Sequence, residues 1–203
     1  MSQGRPVPFV LASGSGARLR VLRDAGIDPE VLVSGADEAT DGGMETAAVV
    51  QLLADRKASA VARQRPDALV LGCDSMLELD RVGYGKPASR TEAARMWLAL
   101  SGRAATLWTG HCLIQASSGR HAAGVAGTIV RFGTPTKAEI AAYVASGEPL
   151  GLAGAFSIEG FGAPFIDGID GDPSNVLGLS LPLLRRLLRD LGLSITDFWR
   201  AAR

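Results

Sequence analysis

The sequence predicts an α/β domain built on a mixed sheet, and three observations carry that prediction. Segments of strand character alternate with segments of helical spacing, the pattern of layered α/β proteins. Two strand-like segments flank Ser117-Ser118-Gly119-Arg120, a hairpin-type connection that brings in antiparallel pairing. No linker, internal repeat or low-complexity tract interrupts the 203 residues. One domain over 1–203 is therefore expected, long enough to bury about two-thirds or more of the surface that its unfolded chain exposes.

Taken in order, Phe9 to Ala12 reads as a short buried strand. The stretch SGSGARLRVLRDAG that follows reads as a turn into a helix, with Ser15 as N-cap and Gly26 as the stop. Val31 to Val33 is a second strand candidate, and Ser34 to Gly43 is a polar, acid-bearing loop. From Glu45 to about Arg63 the apolar positions Val49, Leu52, Leu53 and Ala60 recur at helical spacing. Ala68 to Cys73 is a continuous apolar strand; Ser75 to Leu79 extends it or pairs with it before a turn at Asp80 to Gly83.

Ser89-Arg90-Thr91-Glu92 has the spacing of a capping box and opens a helix that Gly102 closes. Leu107 to Ala116 and Gly127 to Phe132 are the hairpin strands. Thr136 to Glu139 opens another helix, ending near Gly147. After Pro182, Leu184, Leu187, Leu188 and Leu191 share one face, as in a helix docked on a core. Between Gly147 and Gly178 glycines are frequent and periodicity is weak; long irregular segments of this kind are commonly functional.

Charge and composition narrow the function. The 21 cationic and 21 anionic residues cancel, so the basic footprint of a nucleic-acid binder is missing and a small polar ligand suits the balance better. Cys73 and Cys112 lie in apolar segments without metal-site or disulfide spacing, which reads as buried free thiols in a reducing compartment. The apolar stretch Val7 to Ala12 is too short for a signal-peptide core, and nothing approaches the ~20 apolar residues of a membrane span. A cytoplasmic protein is expected. Of the 21 cationic residues only Lys57, Lys86 and Lys137 are lysines; a compact ammonium differs from a guanidinium where a tight site takes a point charge.

Four segments carry candidate chemistry. LASGSGARLR sits at a strand-to-helix junction, where free N–H groups and the positive helix end favour an anion, with Ser13, Ser15 and Arg18 as supplements. The spacing matches neither standard nucleotide-binding glycine motif, and a plain helix cap fits the same residues. Lys57 lies beside its helix's apolar face, either snorkelling to solvent or reaching over the sheet edge into a cleft.

Asp74 follows directly on a buried strand, and Lys86 stands twelve residues later before Pro87. A carboxylate there needs water or a cationic partner. It could orient a water or hold a divalent ion, with Lys86 neutralising phosphate, or it could be a turn residue near an unrelated lysine. The fourth segment, Gly154 to Pro182, sets Glu159, Asp167, Asp170 and Asp172 among glycines that allow close approach of a ligand or simply tight turns. Carboxylates, lysines and an anion cradle together suggest metal-assisted attack on a phosphoester or phosphoanhydride.

In this order, from about Val10 to Gly192, these segments resemble the Maf family of nucleoside triphosphate pyrophosphatases. The family's L-A-S-x-S-P-R-R is similar to LASGSGAR, which keeps Ser13, Ser15 and Arg18 but has Gly16 and Ala17 for proline and the first arginine. Its D-E-T looks like Asp37, Glu38 and Ala39, its L-A-x-x-K-A is LADRKA with Lys57, and its G-x-D-T and G-K-P are similar to GCDS and YGKP, with Asp74, Ser75 and Lys86. LSGRAATLWTGHCLI, GEPLGLAGAFSIEG and IDGDPSNVLGLSL continue the likeness.

The resemblance implies a fold like that of inosine-triphosphate pyrophosphatases: an elongated mixed β-sheet with flanking helices and a cleft between two lobes. It implies a cytoplasmic enzyme, commonly a homodimer, that cleaves a nucleoside triphosphate to a monophosphate and pyrophosphate with Mg²⁺ or Mn²⁺. On that likeness Asp74, Lys86 and Lys57 are catalytic, and Glu38 and Asp74 hold the metal. Ser13, Ser15, Arg18, Ala17, Ser75 and Glu159 line the substrate pocket. Ala17, Ser75 and Glu159 depart from the thymidine/uridine-type members, and Gly151 and Leu152 replace the family's Asp-Lys pair. The alternative is a nucleotide-binding regulator of cell division with little turnover.

Overall fold

A computed structural model of the chain describes residues 7–40 and 42–200. The first six residues of the expected non-signal start, and Asp41 of the expected acidic loop, lie outside the described residues.

The chain runs β1 (Phe9–Leu11), α1 (Gly16–Asp24), β2 (Glu30–Val31), α2 (Thr46–Ala62), β3 (Leu69–Leu79), β4 (Val82–Tyr84), α3 (Arg90–Leu100), β5 (Ala104–Gln115), β6 (Arg120–Phe132) and α4 (Lys137–Ser146). Three short 3₁₀ turns then lead into β7 (Ile166–Asp170), α5 (Pro173–Val176) and α6 (Leu181–Asp190). The seven strands form one open sheet in the order β2-β1-β3-β5-β6-β7, with β4 on the edge of β3. β1 runs parallel to β2 and β3, and the other pairings are antiparallel. This is the mixed α/β sheet the alternating pattern predicts. Among the described residues, no helix is long and apolar enough to cross a membrane.

The continuous apolar start of β3 follows from burial on both faces. Leu69, Leu71 and Cys73 pack into one core with α1 and α6, while Ala68 and Val70 pack into another beneath α2. Helix α2 lies directly on the sheet backbone, because Gly72 and Gly110 present no side chain to it. A Cβ on Gly72 would collide with the Ala54 carbonyl, and one on Gly110 with the Val50 carbonyl.

On the opposite face the long strands β3, β5 and β6 carry two separate apolar clusters. Leu69, Leu71, Leu113, Leu184 and Leu188 belong to the first. Leu77, Leu107, Val130, Phe132 and Trp97 belong to the second, under α3 and α4. Trp97 meets Phe132, Tyr143 and Phe165 edge to face and donates its indole N–H to the Ala155 carbonyl at 2.8 Å. These two clusters are joined by the long strands they share.

Several boundaries differ from the sequence reading. Ser75 to Leu79 continues β3 rather than pairing with it. β2 is Glu30–Val31 and not Val31 to Val33, because its register is set by pairing with Val10 and Leu11. β5 and β6 extend beyond the expected hairpin strands, paired from Ala104–Arg131 to Gln115–Arg120. Ser15 caps α1 as expected, and Thr136 with Glu139 forms a full capping box. At Ser89 the box is half made: the Glu92 carboxylate accepts from Ala88 N–H instead of returning to the cap.

Candidate active site

The site begins where the sheet loses a strand. β1 covers the edge of β3 only as far as Leu71, with one further bond from Ala12 N–H to the Leu71 carbonyl. β4 takes up the same edge only at Leu77. Between them Asp74 and Ser75 stand at an edge that β1 and β4 leave open, beside the α1 N-terminus. A cleft of about 1000 Å³ occupies the gap, lined by Ser13, Ser15, Ala17, Arg18, Glu38, Lys57, Asp74, Ser75, Lys86 and Glu159 among others. All nine predicted positions apart from Asp74 thus meet Asp74 in one hollow.

Adjacent residues on a strand point to opposite faces, so Asp74 and Ser75 do different work. Asp74 faces α2, and the close seat of that helix on Gly72 and Gly110 brings Lys57 to it. Lys57 Nζ donates to Asp74 Oδ1 at 2.5 Å and lies 2.7 Å from Glu38 Oε1. The Lys57 and Asp74 side chains are only 12% and 14% exposed, against 64% for Glu38, so the two inner charges are largely withdrawn from water and need each other. Lys57 therefore takes the cleft-facing option. Its hydrogen bond, more than any other influence, holds the Glu38 carboxyl below its ordinary range; burial opposes that shift, and the Lys86 and Arg18 charges reinforce it.

Ser75 faces the other way, toward α1. Its hydroxyl accepts from Arg18 Nη2 at 3.0 Å and pairs with Thr109 Oγ1 at 2.9 Å. Arg18 is buried; it also donates from Nε to the Gly178 carbonyl at 2.8 Å and from Nη1 to Ser13 Oγ at 3.0 Å. Its guanidinium thereby ties β3, the turn before α1 and the end of the glycine-rich stretch together. The remaining N–H groups of its five are all it has to offer a ligand.

The α1 N-terminus turns free backbone donors toward the cleft wall. Ser15 Oγ accepts from Arg18 N–H at 3.4 Å, and the first intrahelical bond comes from Leu19 N–H to the Ser15 carbonyl. Gly16 and Ala17, both on the cleft wall, precede that bond, and first-turn N–H groups lack intrahelical acceptors. Lys86 is exposed and lines the same cleft.

Sequence reasoning missed Thr109, the Gly178 carbonyl and Arg20. Arg20 Nη2 reaches Glu159 Oε2 at 2.8 Å, an exposed pair that joins α1 to the wall formed by the glycine-rich stretch. A signal for Thr109 existed: Leu107, Thr109, His111 and Leu113 share one strand face, and two of the four are polar at buried positions.

Comparison with known proteins decides the family. The profile described as "Maf-like protein" matches residues 8–191. The chain belongs to the Maf family. Relatives of this Maf chain include a protein of Streptomyces coelicolor named "Nucleoside triphosphate pyrophosphatase", 59% identical over 197 residues, covering 96% of this chain and 95% of that protein. Proteins of the same name from Mycobacterium sp. (strain JLS) and Salinispora tropica are 51% and 50% identical, covering 94% and 98% of this chain and 97% and 90% of theirs.

The donor set bears on the metal that the Maf family implies. Among the described residues, no group of three or more His, Cys, Asp and Glu side chains could hold a metal ion. What the cleft offers is a pair of carboxylates, Glu38 and Asp74, that share a single ammonium. Mg²⁺ commonly uses one or two carboxylates, substrate phosphates and water rather than an all-protein cage, so these residues fit an ion that arrives with a polyphosphate.

Proposed function

We propose that this Maf-family chain is a nucleoside triphosphate pyrophosphatase that cleaves between the α and β phosphates. One observation carries the reading: Asp74, Glu38, Lys57, Lys86 and the α1 N-terminus, far apart in sequence, line a single cleft. In-line displacement at phosphorus needs positioning and neutralisation of oxygen charge more than covalent chemistry, and those are the groups that provide both.

In this reading the α1 N–H groups, Ser13 and Ser15 cradle the triphosphate, and Lys86 neutralises it. Lys57 engages Asp74 Oδ1 and leaves Oδ2 to orient a water and take its proton as the oxygen attacks the α phosphorus. The bond from that phosphorus to the bridging oxygen breaks, and the electron pair leaves with pyrophosphate. A Mg²⁺ or Mn²⁺ held by Glu38 and Asp74 would supply further neutralisation of phosphate charge. Arg18 fixes Ser13 and Ser75 in place, while Ala17, Ser75 and Glu159 border the substrate. Zero net charge supports a small substrate over nucleic acid. A cytoplasmic homodimer is part of the same reading.

One feature supports the alternative of nucleotide binding with little turnover. Gly151 and Leu152 leave their part of the cleft wall without charge. A panel of canonical, methylated and deaminated triphosphates with Mg²⁺ or Mn²⁺, assayed separately for pyrophosphate and orthophosphate, discriminates. Pyrophosphate is expected from at least one substrate, and Asp74→Asn should lower kcat by roughly 100-fold or more. Tight binding without turnover across the panel would favour the alternative.

A further inference from the structure

Glu38 reaches the cleft from a segment with almost nothing to hold it. Residues 33–40 form neither helix nor strand. Among the described residues, no backbone-to-backbone hydrogen bond outside the regular elements involves them. The internal bonds of this segment are two local turns, Ala36 N–H to Ser34 Oγ and Ala39 N–H to Asp37 Oδ1. Such a loop does not by itself fix a carboxylate within the tolerance that catalysis needs.

Two consecutive residues of α2 supply the fixing. Lys57 Nζ meets the Glu38 carboxylate at 2.7 Å. Arg56 Nη1 donates to the carbonyls of Asp37 at 3.2 Å and Ala39 at 2.5 Å, the two residues that flank Glu38. One terminal guanidinium nitrogen carries two hydrogens, one for each carbonyl, so the backbone on either side of Glu38 is bound to a single atom. Because α2 is seated on Gly72 and Gly110 of the sheet, Arg56 refers the loop to the same frame that positions Asp74.

We propose that Arg56 is a positioning residue for the reaction, acting through Glu38 by gripping the peptide groups on both sides of it. Arg56 does not line the cleft; it lies on the far side of the loop, facing a separate groove with Ser34, Asp37, Ser59 and Arg63. The inference rests on the pyrophosphatase reading, since it assigns Arg56 a part only if Glu38 has one.

A double-mutant cycle separates the two. In Mg²⁺-dependent pyrophosphate release, with the best triphosphate of the panel, Arg56→Ala is expected to lower kcat/KM by roughly 10- to 100-fold and to raise the Mg²⁺ concentration needed for half-maximal rate. The midpoint of thermal unfolding should stay close to the parent's, because residues 33–40 belong to none of the three apolar clusters. In a Glu38→Gln background the same change should alter kcat/KM by no more than about twofold. Arg56→Lys, which keeps a donor able to reach one carbonyl, should recover part of the loss. Full additivity with Glu38→Gln, or an Arg56→Ala enzyme with unchanged rate and Mg²⁺ dependence, would overturn the positioning role while leaving the pyrophosphatase reading intact. A Glu38→Gln enzyme with undiminished activity would instead remove Glu38 from the reaction and the inference with it.

Discussion

Ser75, Thr109 and His111 occupy places where strand alternation calls for apolar side chains, and they form a polar seam between the two apolar clusters of one sheet face. Thr109 Oγ1 links Ser75 to the Asn175 carbonyl. His111 Nδ1 lies 3.1 Å from the Thr109 carbonyl, and Nε2 accepts from Ser180 N–H at 2.9 Å, which fixes the neutral tautomer with its proton on Nδ1. Burial pushes the imidazole down from 6.5 to about 4. The folded state therefore resists a proton that the unfolded state takes up. This contribution is complete above about pH 6.5 and is lost as pH falls toward 4, approaching ~3 kcal/mol in full. Urea unfolding of the wild type and His111→Gln across that interval should show the wild-type advantage shrinking with acid; a constant difference would contradict it. Asp74 was legible in the sequence because an acid after a buried run is out of place, and Lys57 because it is one of three lysines and falls in the family's L-A-x-x-K-A pattern. Thr109 and His111 were not, because Leu107 to Ala116 reads as a hairpin strand without its two faces being separated.

At the scale of elements, α2 is the part on which the site depends, since consecutive residues reach Asp74 and the Glu38 loop from it. Its seat requires Gly72 and Gly110. Gly110→Ala would place a methyl group against the Val50 carbonyl, where rigid backbone must yield, so α2 shifts away from the sheet and draws Lys57 from Asp74. The variant should lose roughly 1–3 kcal/mol of stability and most of its pyrophosphate release, as read by chemical unfolding and steady-state rates. Wild-type values for both would refute the close seating. Helix starts were legible from local chemistry at Ser15 and Thr136, where the cap contacts lie within four residues. The length of β6 was not. Ala122, Ala123 and Gly124 have little strand propensity, and the reason for the glycine is tertiary: Leu183 of α6 packs over Gly124.

For the whole molecule, the cleft exists because β1 is short and β3 is long, leaving a stretch of strand edge between β1 and β4 against which α1, α2 and the glycine-rich wall converge. The mixed α/β class was visible in the alternation of elements, and the site residues in the order of their motifs. The topology was not visible, because the strand order depends on pairing partners distant in sequence. The central claim is that this hollow holds a triphosphate so that water, oriented by Asp74, attacks the α phosphorus. Hydrolysis of the best triphosphate in heavy-oxygen water, followed by mass spectrometry of both products, tests it most directly. The label is predicted in the nucleoside monophosphate with unlabelled pyrophosphate; label in pyrophosphate, or orthophosphate as the first product, would contradict the account.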